Sequence, residues 1–202
     1  MMNRRTLILS ALVAALIPGM ALAEKLSLAE ISKYLNSLTT AETTFTQINP
    51  DGSGAKGKVI IRRPGRMRFE YAKPDKTVVL ASSGQVAVFD DKSNQPPEQY
   101  PLAKTPLNLI LGRKIDLEKA NMVVGHTQES KLTIVTAQDP KNPEYGSIAL
   151  GFSANPVALR QWVLTDQTGA QTTVLLGDLI KGGDYPPSTF LIEAEIRKRG
   201  LN

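Results

Sequence analysis

Residues 61–71 read IRRPGRMRFEY, and the register of this stretch decides what the fold encloses. On both sides of the Pro64-Gly65 step the residues alternate with the period of a β-strand. Val59, Ile61, Arg63, Met67, Phe69 and Tyr71 form one row, and Lys58, Ile60, Arg62, Arg66, Arg68 and Glu70 form the other. Side chains two apart share a face. The second row is mostly charged and reads as solvated; the first is apolar except for Arg63. Two registers are open. If parity holds through the step, Arg63 points inward, where an unpaired charge is costly and acceptors are required. Free carbonyls at the C-terminal end of a helix suit a guanidinium with five donors and no acceptor. If Pro64-Gly65 is a bulge, a one-residue slip turns the following side chains to the other face, and Arg63 is one more solvated arginine.

The segments around this stretch alternate in the same way. ETTFTQI (42–48) precedes it as a strand and is followed by the turn DGSG. KTVVLASSGQVAVFD (76–90) reads as a hairpin around Ser-Ser-Gly, and DKSNQPPEQYP (91–101) as a polar loop. Further along, NMVVGHT, KLTIVTA, SIALGF, ALRQWVLTD and QTTVLLGDL are strand candidates, with a hairpin at DQTG. Near the C-terminus, Phe190 and Ile192 suggest a last strand and RKRGLN a frayed tail. The expected total is about nine or ten short strands in hairpin order, hence one large antiparallel sheet that curls.

Two segments change period. In SLAEISKYLNSL (27–38), Ser27 and Glu30 form a capping box and Leu28, Ile31, Leu35 and Leu38 recur at helical spacing. In TPLNLILG (105–112), Thr105 is placed as N-cap, Pro106 at the first helical position and Gly112 as the stop. So short and apolar a helix needs a surface to lie on. IDLEKA (115–120) suggests one more helical turn. These helices are the available cover for the inner face of a curled sheet.

The first 23 residues read as an export signal: positive MMNRR, apolar TLILSALVAALIPGM, and the small-residue cleavage site Ala21-Leu22-Ala23. Residues 24–202 are then expected to form one domain. No later run approaches the ~20 apolar residues of a membrane span. The chain has no cysteine, which excludes thiol nucleophiles, thiolate metal sites and a lipid-modified N-terminal cysteine. Its net charge of +5 falls to +3 without Arg4 and Arg5, a mild value that with export argues against a nucleic-acid partner.

Catalytic signatures are absent. His126 is the sole histidine, lies in a strand candidate, and no GxSxG accompanies it. A lone histidine without cysteines makes poor zinc chemistry. Asp90, Asp91, Asp166 and Asp184 sit in or beside turns, where aspartate serves the local backbone. No phosphate loop or dinucleotide fingerprint appears. No enzymatic activity, metal or cofactor is therefore expected.

Taken in order, the leader without a lipid-attachment cysteine, the amphipathic helix, FTQ (45–47), GKVIIRRPGRMRFEY, LASSGQVAVFD, TPLNLILG and LRQWVLTDQTGAQTTVLLGDL resemble the periplasmic outer-membrane lipoprotein carrier family, LolA. The resemblance runs through nearly the whole exported chain. It implies an incomplete, unclosed antiparallel β-barrel with a helical lid over an apolar cavity that binds the acyl chains of lipoproteins. It also implies a monomer in the periplasm. Cargo would come from an inner-membrane lipoprotein-releasing ABC transporter and pass to an outer-membrane acceptor lipoprotein. By resemblance Arg63 is the lid latch, which favours the inward register. The cavity would be lined from the sheet by Phe45, Ile61, Met67, Phe69, Leu150, Phe152, Trp162 and Leu164, and from the lid by Leu107, Ile110 and Leu111. The chain departs from the family at Met67, where a bulky aromatic is common, and near STFLIEAEIRKRG, where a proline-glycine segment is expected. The alternative function is a periplasmic sensor or scaffold of the same fold with no lipid cargo.

Overall fold

The computed structural model describes residues 24–90, 92–105 and 107–201. The expected export signal, Asp91, Pro106 and Asn202 lie outside the described residues.

Helix α1 (Leu28–Ser37) starts where its capping box predicts: Ser27 Oγ accepts from the Glu30 amide at 3.2 Å, and the Ser27 amide donates to Glu30 Oε2 at 2.8 Å. The first sheet segment is β1 (Thr40–Ile48), β2 (Gly54–Arg62), β3 (Arg66–Tyr71), β4 (Val78–Ser82), β5 (Gln85–Phe89) and β6 (Glu98–Pro101). A 3₁₀ turn (Leu102–Lys104) and α2 (Asn108–Leu111) follow. The second segment is β7 (Val123–Glu129), β8 (Leu132–Gln138), β9 (Ser147–Ala154), β10 (Val157–Thr165), β11 (Gln171–Leu176) and the two-residue β12 (Ile180–Lys181). A 3₁₀ turn (Pro187–Phe190) and α3 (Ile192–Arg199) close the chain.

All twelve strands belong to one sheet, in the order β6-β5-β4-β3-β2-β1-β11-β10-β9-β8-β7, with β12 also on β1. The strand pairings among the described residues are antiparallel, and the two runs of local hairpins are joined by long-range pairings of β1 with β11 and β12. Its end strands β6 and β7 do not pair, so the barrel is unclosed.

The Pro64-Gly65 question has a definite geometric answer. Ile61 pairs with Met67 and Arg62 with Arg66, so Arg63-Pro64-Gly65 is a three-residue turn and the faces are kept on either side. Gly65 takes the positive φ of 72° that such a turn needs. Val59, Ile61, Met67 and Phe69 lie on the inner face and join one buried cluster with Ile31, Tyr34, Leu35 and Leu38 of α1. The Tyr34 hydroxyl also accepts from the Leu159 amide at 3.2 Å, which seats α1 on β10.

Several expectations are corrected. The polar 91–101 segment ends in strand β6, because its exposed residues pair only with β5. α2 begins at Asn108 with Leu107 at the cap position, and the Thr105 hydroxyl instead donates to Leu102 O at 2.9 Å, in the preceding 3₁₀ turn. Gly112 does end α2, its amide bonding to Asn108 O at 2.8 Å. IDLEKA forms a hydrogen-bonded turn outside any helix, with Ile115 and Leu117 buried.

The C-terminus is neither strand nor frayed tail. α3 packs on the outer face of β4 and β5, where Ile192 joins Val78, Leu80, Ala87 and Phe89 in a second buried cluster. Gly200 caps α3 in the left-handed conformation, φ 66°. The solvated reading of the charged row therefore fails at Arg68, which is buried and bridges to buried Glu195 at 3.1 Å.

Candidate functional site

The inner face is lined by residues that the hairpin register places together. Cross-strand pairs Trp162–Leu150, Leu164–Ile148 and Leu159–Phe152 put these side chains on one side of β9 and β10. On β1, Phe45 faces Gly57 of β2, where a Cβ would fall 2.6 Å from the phenyl ring. Glycine here gives the ring its seat. Phe45 then meets Phe69 and Tyr71 edge-on at 5.3 and 5.0 Å, and Phe69 meets Trp162 at 5.7 Å. Burial pushes the Tyr71 phenol up to about 12, so it remains a neutral donor to Gln47 Oε1 at 2.6 Å.

Of the residues expected to line the cavity, Phe45, Ile61, Met67, Phe69, Ile110, Leu111, Leu150, Phe152 and Trp162 are buried in this one cluster, and Leu107 packs against it half-buried. Leu164 is apart: it is on the inner face but 36 % exposed, near the rim. The space beneath the lid is occupied by the lid's own Ile31, Leu35, Leu38, Ile110 and Leu111. In this arrangement the lid is closed.

Arg63 stands where the two lid pieces meet. Its Nη1 donates to Leu35 O in the last turn of α1, and its Nη2 to Gly112 O, just after α2, at 2.6 Å and to Asn36 Oδ1 at 3.3 Å. The two backbone acceptors lie at helix C-termini, at the negative end of each dipole, and Leu35 O also takes the Leu38 amide at 3.2 Å. Two backbone bonds reinforce the joint: the Arg63 amide to Thr39 O at 2.7 Å, and the Gly65 amide to Leu111 O at 2.9 Å. Burial lowers the Arg63 pKa, and its Nε is buried without a hydrogen-bond partner.

Sequence reasoning missed Asn36 and Ser32. Asn36 Nδ2 donates to Ile115 O at 2.7 Å and its Oδ1 accepts from the Ile115 amide at 3.0 Å. Ser32 Oγ accepts from the Leu117 amide at 3.0 Å. These residues, four apart on α1, tie the helix to the segment after α2. A polar residue on an amphipathic helix reads as its wet side, and only the pairing of Asn with Ser at that spacing hints at a backbone partner.

The groups considered for catalysis have other work. His126 Nε2 lies 2.8 Å from Leu26 O, on edge strand β7, holding the segment that leads into α1. Asp166 Oδ1 accepts from the Thr168 and Ala170 amides, and Asp90 Oδ1 from the Lys92 amide, as turn aspartates do. Among the described residues no three His, Cys, Asp or Glu side chains gather as a metal site.

Residues 36–193 match the family described as outer membrane lipoprotein carrier protein LolA. The chain belongs to the LolA family. Its similarity to curated members is low in identity and wide in extent. An outer-membrane lipoprotein carrier protein of Methylococcus capsulatus is 23% identical over 176 residues, 83% of this chain and 84% of that one. One of Dechloromonas aromatica is 27% identical over 199 residues, 94% of this chain and 93% of that one. Among solved structures, a LolA superfamily protein from Nitrosomonas europaea aligns with a TM-score of 0.42 and 10% identity, covering 82% of this chain and 98% of that one. The stretch at 61–71 and α2 lie within the matched residues, and α1 enters them only at Asn36 and Ser37.

Proposed function

We propose that this chain is a periplasmic lipoprotein carrier that holds the acyl chains of its cargo against the inner face of the sheet. It takes cargo released from the inner membrane by an ABC transporter and delivers it to an outer-membrane acceptor. The reading follows from family membership, and the observation that carries it here is the construction of the lid. The lid meets the sheet through apolar side chains, which an acyl chain can replace. Its polar ties to the sheet include the hydrogen bonds of one turn, Arg63–Gly65, and that of the Tyr34 hydroxyl, while Asn36 and Ser32 join α1 to the segment after α2. Opening the lid exposes the face bearing Phe45, Met67, Phe69, Phe152 and Trp162. Each methylene then taken from water contributes roughly 0.8 kcal/mol. Ile31, Leu35, Ile110 and Leu111 compete for that face, so the closed form favours release. Hydrolysis has no part in the cycle; the protein is a binding protein.

A second reading has one observation in its favour: the lid's own side chains fill the inner face. A sensor or scaffold with that interior would bind no lipid. An apolar fluorescent probe separates the two readings. The carrier takes up the probe and yields it to a diacylated lipopeptide; the scaffold does neither.

A further inference from the structure

A cleft of about 620 Å³ lies where β6, at one end of the unclosed sheet, stands opposite the start of β9 and the end of β10. Tyr100, Pro101 and Lys104 form one wall, and Glu144, Tyr145 and Asp166 the other. These walls come from opposite halves of the sheet, with no strand pairing between them. Both lead to the inner face. Tyr100 pairs with Val86, an inner-face residue, and Leu164, exposed on the inner face, is two residues from Asp166. The cleft is thus a margin of the lipid-binding face that the lid leaves uncovered.

We propose that this cleft carries the polypeptide of the cargo, as an extended peptide leading away from its acylated residue; this rests on the carrier reading above. Acyl chains held under the lid remain bonded to a protein, which must pass out of the sheet somewhere. Three features fit an extended chain. Among the described residues β6 is an end strand that pairs with β5 alone, so its other edge is open to a peptide added as a further strand. Tyr100 and Tyr145, 48% and 54% exposed, offer flat apolar rings with polar tips, a contact that tolerates varied sequence. The local charge is acidic: Glu98, which accepts from Tyr100 Oη at 2.5 Å, Glu144 and Asp166 against Lys104. That balance favours an uncharged or basic peptide over an acidic one.

The test compares three probes on the intact exported chain: S-dipalmitoylglyceryl-cysteine alone, the same lipid extended by an uncharged hexapeptide, and the same lipid extended by six aspartates. The wild-type protein is expected to bind the uncharged extension about tenfold more tightly than the lipid alone, and the acidic extension no more tightly than the lipid alone. The surface variant Tyr100→Ser/Tyr145→Ser is expected to bind the short lipid as the wild type does and to lose the gain from the peptide. No gain in the wild type, a gain of the same size with six aspartates, or a gain kept by the double variant would overturn the proposal. If the wild type binds the short lipid well and the peptide adds nothing, the carrier reading stands and the cleft fails; if it binds none of the three, both fail.

Discussion

Arg63 Nη2 donates to the carbonyl of Gly112 at 2.6 Å, joining the β2–β3 turn to the residue that ends α2. The same guanidinium takes the carbonyl of Leu35 in α1, so one side chain holds both lid pieces. Because Nε has no partner, the joint is tight but incompletely satisfied. Such a joint can break without exposing a fully compensated network.

Replacing Arg63 with Leu removes the joint while keeping an apolar stem. Hydrogen bonds from charged donors contribute about 1.5–3 kcal/mol. Amides of α1's last turn and of α2 should exchange at least tenfold faster with deuterium, while β9 and β10 keep wild-type protection. Cargo should be accepted but released poorly. Arg63→Lys should behave similarly, since an ammonium cannot span both carbonyls as a planar fork does. Wild-type exchange and transfer in Arg63→Leu would show that the lid is held by its apolar contacts alone.

Asn36→Ala should uncouple α1 from the segment after α2. It leaves the Ile115 amide and carbonyl without their partners, at a cost of about 1–3 kcal/mol. Denaturant unfolding gives the size of the loss. Exchange at Ile115 and Leu117 should rise before that of the sheet.

Gly57→Ala tests the seat of the aromatic cluster. The added methyl would meet the Glu70 carbonyl oxygen at 2.3 Å and the Phe45 ring at 2.6 Å. Overpacking of this kind costs about 1–3 kcal/mol, and the shift should pass through Phe69 to Trp162. A changed Trp162 emission and a lower thermal midpoint are expected. An unaltered spectrum would mean that Phe45 and Trp162 are not mechanically connected.

The C-terminal helix should come away in acid. Burial opposes the ionised form of Glu195, but the hydrogen bond from Arg199 and the charge of Arg68 outweigh it and hold the carboxyl below its usual range. A depressed carboxylate pKa contributes stability that is complete above the ordinary carboxylate value and is lost as pH falls through the lower folded value. Proteolysis within 185–201 should therefore accelerate only below the usual carboxylate range. Glu195→Gln should reproduce that at neutral pH, since it breaks a buried pair, at a cost of up to about 3–5 kcal/mol, and leaves Arg68 only the half-exposed Glu70 as counter-charge at 3.4 Å.

How much of this was legible depended on whether local pattern or distant contact set the structure. The row Val59, Ile61, Met67, Phe69 was readable because a three-residue turn returns the strand with its faces intact. α1 was readable from Ser27 and Glu30, whose cap needs no other part of the chain. β6 was not, since four exposed residues become a strand only by pairing with β5. Arg68 and Glu195 were not, since they are 127 residues apart and each resembles a surface charge. α3 did carry a local signal that alternation at Phe190 and Ile192 obscured. Glu193 and Glu195 stand in its first turn, Arg197, Lys198 and Arg199 in its last, and Gly200 follows as the stop.

The most direct test of lipid carriage is to bind a lipopeptide with a photoreactive diazirine at the end of an acyl chain, irradiate it, and map the adducts by mass spectrometry. Adducts on Phe45, Met67, Phe69, Phe152 and Trp162, displaced by unlabelled lipopeptide, are the predicted result. Saturable binding with adducts only on outer-face residues, or no binding at all, would contradict it.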